Sequence, residues 1–132
     1  MENIKYPKRA IITVGKPDGH KQIHIGHLAG GLINSDIFAR FLRNRIGKEN
    51  VLFFSGTECY GTAVYNEYLK NREQFKSIQD YIYFIHLQQK AILDKFKISL
   101  DGFFCDISDI KLHLYIVIYA RDLQIAYLPM EI

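Results

Sequence analysis

The 132-residue chain carries 17 Lys and Arg against 14 Asp and Glu, a formal charge of +3 with His neutral, and 48% of it is hydrophobic. That balance excludes an intrinsically disordered chain, fits one domain with its own core across residues 1–132, and is compatible with an anionic partner such as a nucleotide. Two cysteines exclude a disulfide framework or zinc-ligand set and fit reduced thiols in a cytoplasmic setting; no signal-peptide run or membrane-length apolar stretch is found.

The first element is the continuous β-branched run from Arg9 to Val14, which predicts a buried strand, with Gly15, Pro17 and Gly19 as turn residues behind it. A helix is expected over Gly26–Ile46, with Leu28, Leu32, Ala39, Leu42 and Ile46 on its apolar stripe and Ile33, Ile37 and Phe41 widening it. In that reading Asp36, Arg40, Arg43 and Asn44 face solvent, and Gly47 ends the helix. Val51–Phe54 predicts a second buried strand closed by Ser55-Gly56-Thr57, so strand, crossover helix and strand form a right-handed parallel βαβ unit. Helices are expected over Ala63–Arg72 and Ser77–Lys97, the second striped by Ile78, Ile82, Ile85, Ile92 and Phe96. Phe103-Phe104 fits a short third strand, and Ser108-Asp109 fits the cap of a helix to about Tyr127. The class is α/β: a Rossmann-like parallel sheet with helices on both faces, of which this chain forms the first half.

In such sheets ligands bind beyond the carboxyl ends of the strands. Both glycine-rich loops, residues 15–27 and 55–62, leave those ends and are expected side by side. The stretch GKPDGHKQIHIGHLAGG, residues 15–31, crowds three histidines and five glycines where a strand becomes a helix. A helix N-terminus presents unpaired N–H groups and positive dipole to a phosphate. Gly26 lets a flat group or phosphate approach the backbone, and the imidazoles of His24 and His27 donate to phosphate oxygens. Spacing alone leaves a second reading open, in which Gly26 and Gly30 serve helix–sheet packing and the histidines are solvated. His20, His86 and His113 read as structural or solvated. Tyr81, Tyr83, Phe84, Tyr115 and Tyr119 read as helix packing, and Arg40, Arg43, Arg45 and Lys48 as a solvated basic face.

His24-Ile25-Gly26-His27 resembles the HIGH signature of class I aminoacyl-tRNA synthetases, placed after the first strand as in that family. The tetrapeptide is shared in similar form by nucleotidylyltransferases. A second block narrows it: Asp36 to Arg40 resembles an Asp-x-x-Ala-Arg element, and Gly56 to Thr62 a Gly-Thr-Asp-Glu-His-Gly-Thr loop, both of the methionyl-tRNA synthetase branch. The resemblance is strongest over residues 9–65 and weaker to about residue 128.

The resemblance implies an aminoacyl-tRNA ligase in which an amino-acid carboxylate attacks the α-phosphate of ATP, Mg2+ accompanies the nucleotide, and the aminoacyl group moves to tRNA. It implies catalytic roles for His24 and His27 at the phosphates, with Gly15 and Gly26 also against ATP. Val14 and Glu58 would hold the amino acid, Glu58 pairing with its ammonium group; no residues of the sequence are singled out as metal ligands. Glu58 stands where the family has aspartate, carrying its carboxylate about an ångström or more further. Cys59 and Tyr60 also depart from the pattern, and the loop before His24 differs in sequence, which leaves the amino acid open: methionine or another. The family's Lys-Met-Ser-Lys-Ser loop is matched only in composition by Lys95-Phe96-Lys97-Ile98-Ser99. The expectation is therefore a partial form of the enzyme, with an inactive paralogue or fragment that keeps an ATP-binding fold as the alternative. The apolar run Leu112 to Ala120 predicts self-association or a partner chain, and no membrane role is expected.

Overall fold

The computed structural model describes residues 5–105 and residue 107. Three parallel strands in the order β1-β2-β3 form the sheet: β1 is Ala10–Thr13, β2 is Val51–Thr57 and β3 is Gly102–Cys105. Ala10 stands opposite Val51 and Thr13 opposite Phe54, while Phe54 stands opposite Gly102 and Thr57 opposite Cys105. Ser55, Gly56 and Thr57 thus extend β2 instead of closing it. They had the composition of a turn, but β3 pairs with all three.

The β1–β2 crossover begins as a short helix α1, Ile25–His27, passes through a π-helical segment, Leu28–Leu32, and continues as α2, Ile33–Ile46. The periodicity gave one regular helix; the wider π turn interrupts it just behind the histidines, a placement common near functional sites. Helices α3, Thr62–Asn71, and α4, Ile78–Lys95, make the second crossover. Ser77 caps α4, its side chain accepting from the Asp80 N–H at 3.1 Å.

Alternation along β2 shows which face these helices cover. Val51 and Phe53 pack with Ala39 and Leu42 of α2, while Thr57, on the same face, bonds to His86 and Gln89 of α4. Both helices lie on this face, as two right-handed crossovers running in one direction across a sheet require. On the opposite face Phe54 and Phe104 pack together, ring centroids 5.6 Å apart, and remain half-buried. The described residues therefore supply the helices of one face of a Rossmann-like sheet.

The α2 stripe differs from expectation. At 3.6 residues per turn, Asp36 and Arg43 fall within about 40° of Leu32, whereas Ile37 and Phe41 fall about 140° and about 180° away. The structure follows this geometry: Ile37 and Phe41 are exposed and Asp36 is buried. The Asp36 carboxylate accepts from the Ser99 N–H at 2.7 Å, from the Ser99 hydroxyl, and from Arg40 Nε at 2.8 Å. Arg43 donates to Ser99 O at 3.0 Å and to Asp101 Oδ2 at 2.6 Å, and Asp101 in turn accepts the Phe53 N–H at 2.8 Å. This network ties α2 to the segment between α4 and β3. Burial alone would raise the Asp36 pKa, but the Ser99 and Arg40 donors outweigh it and hold the carboxyl below its ordinary value.

Two further expectations are corrected in α4. Phe96 is the exposed C-cap residue because the helix ends at Lys95, and Tyr83 and Phe84 are also exposed. Lys97, Ile98 and Ser99 follow α4, with Lys97 O accepting from Arg40 and Ser99 holding Asp36, which accounts structurally for this lysine-containing stretch. The expected strand Phe103-Phe104 is β3, while the expected helix from Ser108 lies outside the described residues.

Candidate functional site

The glycine-rich loops that follow β1 and β2 do more than adjoin. The Glu58 N–H donates to Pro17 O at 2.9 Å, and the Gly19 N–H to Glu58 O at 2.7 Å, so Asp18 and Glu58 form one further parallel bridge beyond the strands. A Cβ on residue 19 would stand 2.7 Å from Glu58 O, so only glycine permits this approach.

A polar cluster on α4 fixes the first loop from below. Gln89 donates to Asp18 O at 2.9 Å and to Lys21 O at 2.8 Å, and its own Oε1 accepts the Thr57 hydroxyl at 2.8 Å. Since that hydroxyl has one proton, its 2.8 Å contact with His86 makes His86 Nδ1 the donor. The His86 ring stacks on Phe103, centroids 4.9 Å apart and planes 6° apart, and Tyr81 donates its hydroxyl to His20 O at 2.9 Å. His86 is thus structural, one of the two roles its sequence reading allowed. Gln89 and Thr57 were missed from sequence. The available signal was Gln89 at i+7 from Ile82, a polar residue within an otherwise apolar stripe.

Held in this way, the loop delivers His24 to the start of α1. His24 Nδ1 accepts the Gly26 N–H at 3.1 Å, and His27 Nδ1 accepts the His24 N–H at 3.3 Å, a capping box built from two imidazoles. Because both Nδ1 atoms accept, each neutral ring carries its proton on Nε2 and presents that N–H as its remaining donor. The rings lie 3.9 Å apart at 32°. Burial, followed by the nearby His24 and Lys21, lowers the His27 pKa below 6.5, while Asp18 opposes this weakly, so His27 is neutral at pH 7. A Cβ on residue 26 would stand 2.9 Å from His24 Cε1. Gly26 therefore leaves the room that the His24 ring occupies in the cap.

Beside this turn lies a cavity of about 230 Å³ lined by Val14, Gly15, Pro17, Gly26, His27, Gly31 and Leu32. It brings together four of the residues singled out from sequence, Val14, Gly15, Gly26 and His27, with His24 stacked against the last. Glu58 is not among the lining residues: it is half-buried in the bridge to Asp18, and its Oε1 lies 3.4 Å from the Tyr60 N–H. The lining offers apolar walls, exposed backbone and a neutral imidazole donor, which suits an oxyanion attached to a flat or apolar group. Among the described residues its lining contains no carboxylate, the side-chain ligand that a hard divalent cation prefers. Among the described residues no helix is long and apolar enough to cross a membrane.

Comparison with known proteins bears on this site. The model of the family described as tRNA synthetases class I (M) matches residues 10–121. A methionine–tRNA ligase of Saccharolobus solfataricus is 34% identical over 95 residues, covering 72% of this chain and 16% of that protein. Those of Thermococcus onnurineus and Chlamydia caviae are 39% identical over 95 residues and 35% over 98, covering 72% and 74% of this chain and 12% and 17% of those proteins. The chain thus spans less than a fifth of the length of these curated relatives. With the match to residues 10–121, the parallel βαβ fold and the His24–His27 turn in the crossover that follows β1, the chain belongs to the class I (M) tRNA synthetase family.

Proposed function

We propose that this chain supplies the ATP-binding side of an amino-acid-activating site of the methionine–tRNA ligase type. The carrying observation is the histidine capping box, which leaves two Nε2–H donors beside a cavity of oxyanion-compatible chemistry. In this reading His24 and His27 donate to the phosphates of ATP, and Gly15 and Gly26 let the nucleotide lie close to the backbone. A substrate carboxylate is already ionised at neutral pH, so attack on the α-phosphate needs no general base. The two imidazoles assist by positioning the phosphate and offsetting charge that grows in the transition state. The Mg2+ that accompanies ATP would be carried by its phosphates. Val14 would contact the amino acid, and Glu58 would reach its ammonium group after releasing the Tyr60 N–H. The amino acid is methionine, by the relatives' activity, and the acceptor is tRNA. The setting is the cytoplasm.

One observation favours a second reading. The Glu58 carboxylate accepts within its own loop and stands outside the cavity lining, which fits a module that binds nucleotide without activating an amino acid. ATP–pyrophosphate exchange with each of the twenty amino acids separates the two. Exchange stimulated by methionine supports the first reading, stimulation by another amino acid reassigns its substrate, and no exchange with ATP binding retained supports the second.

A further inference from the structure

The two cysteines lie far apart in sequence and together in space. Cys59 follows the C-terminal end of β2, Cys105 ends β3, and their sulfurs are 3.5 Å apart. Both side chains are buried, packed with Val64, Tyr81, Ile82 and Ile85. The Cys59 thiol also donates to Thr57 O at 3.2 Å. A disulfide needs a separation of about 2.05 Å, so each sulfur must move by less than an ångström, within reach of side-chain rotation.

We propose that Cys59 and Cys105 form a dithiol oxidation site, and that closing it tethers the Glu58–Gly61 loop to the end of β3. The oxidant is a peroxide, admitted when the loop, whose Tyr60 is exposed, opens locally. The Cys59 thiol gives up its proton as its sulfur attacks one peroxide oxygen, the O–O bond breaks, and the departing hydroxide takes up that proton to leave as water, giving a sulfenic acid. The Cys105 sulfur then attacks Cys59, the S–O bond breaks, and a second water leaves with the Cys105 proton. Two thiols give up two electrons and one peroxide becomes two waters. Since Cys59 adjoins Glu58, the bond restricts the loop that bridges to Asp18 and so reports redox state to the edge of the site. The proposal does not depend on ATP binding.

The test treats the full chain with hydrogen peroxide under native conditions, unfolds it in guanidinium with N-ethylmaleimide, and maps peptides by mass. The expected product is monomeric, lighter by two hydrogens, unalkylated, and linked Cys59 to Cys105, with reversal by dithiothreitol. Two alkylated cysteines, a disulfide between two chains, or separate sulfinic acids would overturn the proposal, provided that chain unfolded beforehand is oxidised by the same treatment. A second readout is amide hydrogen exchange: closing the bond should slow exchange across residues 58–61 by about threefold or more. Unchanged exchange in the oxidised chain would refute the tether. In Cys105→Ser, dimedone should capture the Cys59 sulfenic acid, and failure to do so in the folded variant counts against Cys59 as the attacking sulfur.

Discussion

His24 and His27 use the same atom for the same purpose: each Nδ1 accepts a backbone N–H of the turn that joins them, and the rings stack at 3.9 Å. Structure therefore consumes one nitrogen of each imidazole and leaves the other for a ligand. Spacing left phosphate-binding or solvated histidines open; the structural use seen here was in neither reading, and it is compatible with phosphate binding.

His27→Asn separates these uses. The Asn carbonyl oxygen retains an acceptor for the His24 N–H, but the Nε2–H is lost. Stability should change by less than about 1 kcal/mol, while ATP affinity should fall by about tenfold to a hundredfold, the worth of a hydrogen bond to a charged group. Urea unfolding and calorimetric titration measure the two quantities. Equal loss in both would assign His27 to structure alone.

Gly26→Ala should act through His24. The new methyl would stand 2.9 Å from His24 Cε1, so the ring must leave the cap. The expected cost is about 1 kcal/mol, similar to losing a cap side chain. The ring contact between residues 24 and 27 should also disappear, visible as altered His ring shifts in NMR spectra.

The lowered pKa of His27 carries a sign. The unfolded chain protonates first as pH falls, so stability is full above the unfolded value of 6.5. It declines as pH drops from 6.5 through the lowered folded value and then levels off. Replacing His27 by Asn should flatten this part of the urea-midpoint profile. Bound phosphate favours the imidazolium, so ATP should raise the His27 pKa when followed by ring-proton shifts.

Gln89→Leu removes the anchors to Asp18 O and Lys21 O and leaves the Thr57 hydroxyl without its acceptor. A loss of about 2–4 kcal/mol is expected in urea unfolding, with faster hydrogen exchange across residues 18–24. Normal exchange in that loop would show that other contacts hold it.

The strand runs, the crossovers and the edge on which the loops gather were legible in sequence, because burial and turn chemistry agreed along these segments. The polar framework was not. Asp36 and Arg43 were assigned to solvent by their charge although their angular positions lay on the buried arc. Nothing local announces that Ser99, 63 residues away, supplies Asp36 with a backbone partner. Ser55-Gly56-Thr57 had the residues of a turn, and only the presence of β3 as a partner keeps them extended. The juxtaposition of Cys59 with Cys105 likewise depends on strand register, which one sequence does not show.

The proposed function places the phosphates of ATP against the His24–His27 turn. Titration of isotope-labelled chain with Mg-ATP, followed by amide and imidazole resonances, tests it most directly. Saturable shifts are expected at Gly15, Gly26 and His27 and on both imidazoles, larger with ATP than with adenosine, and greatly weakened in His27→Asn. Saturable ATP binding that leaves these resonances unmoved, or equal shifts with adenosine, would contradict it.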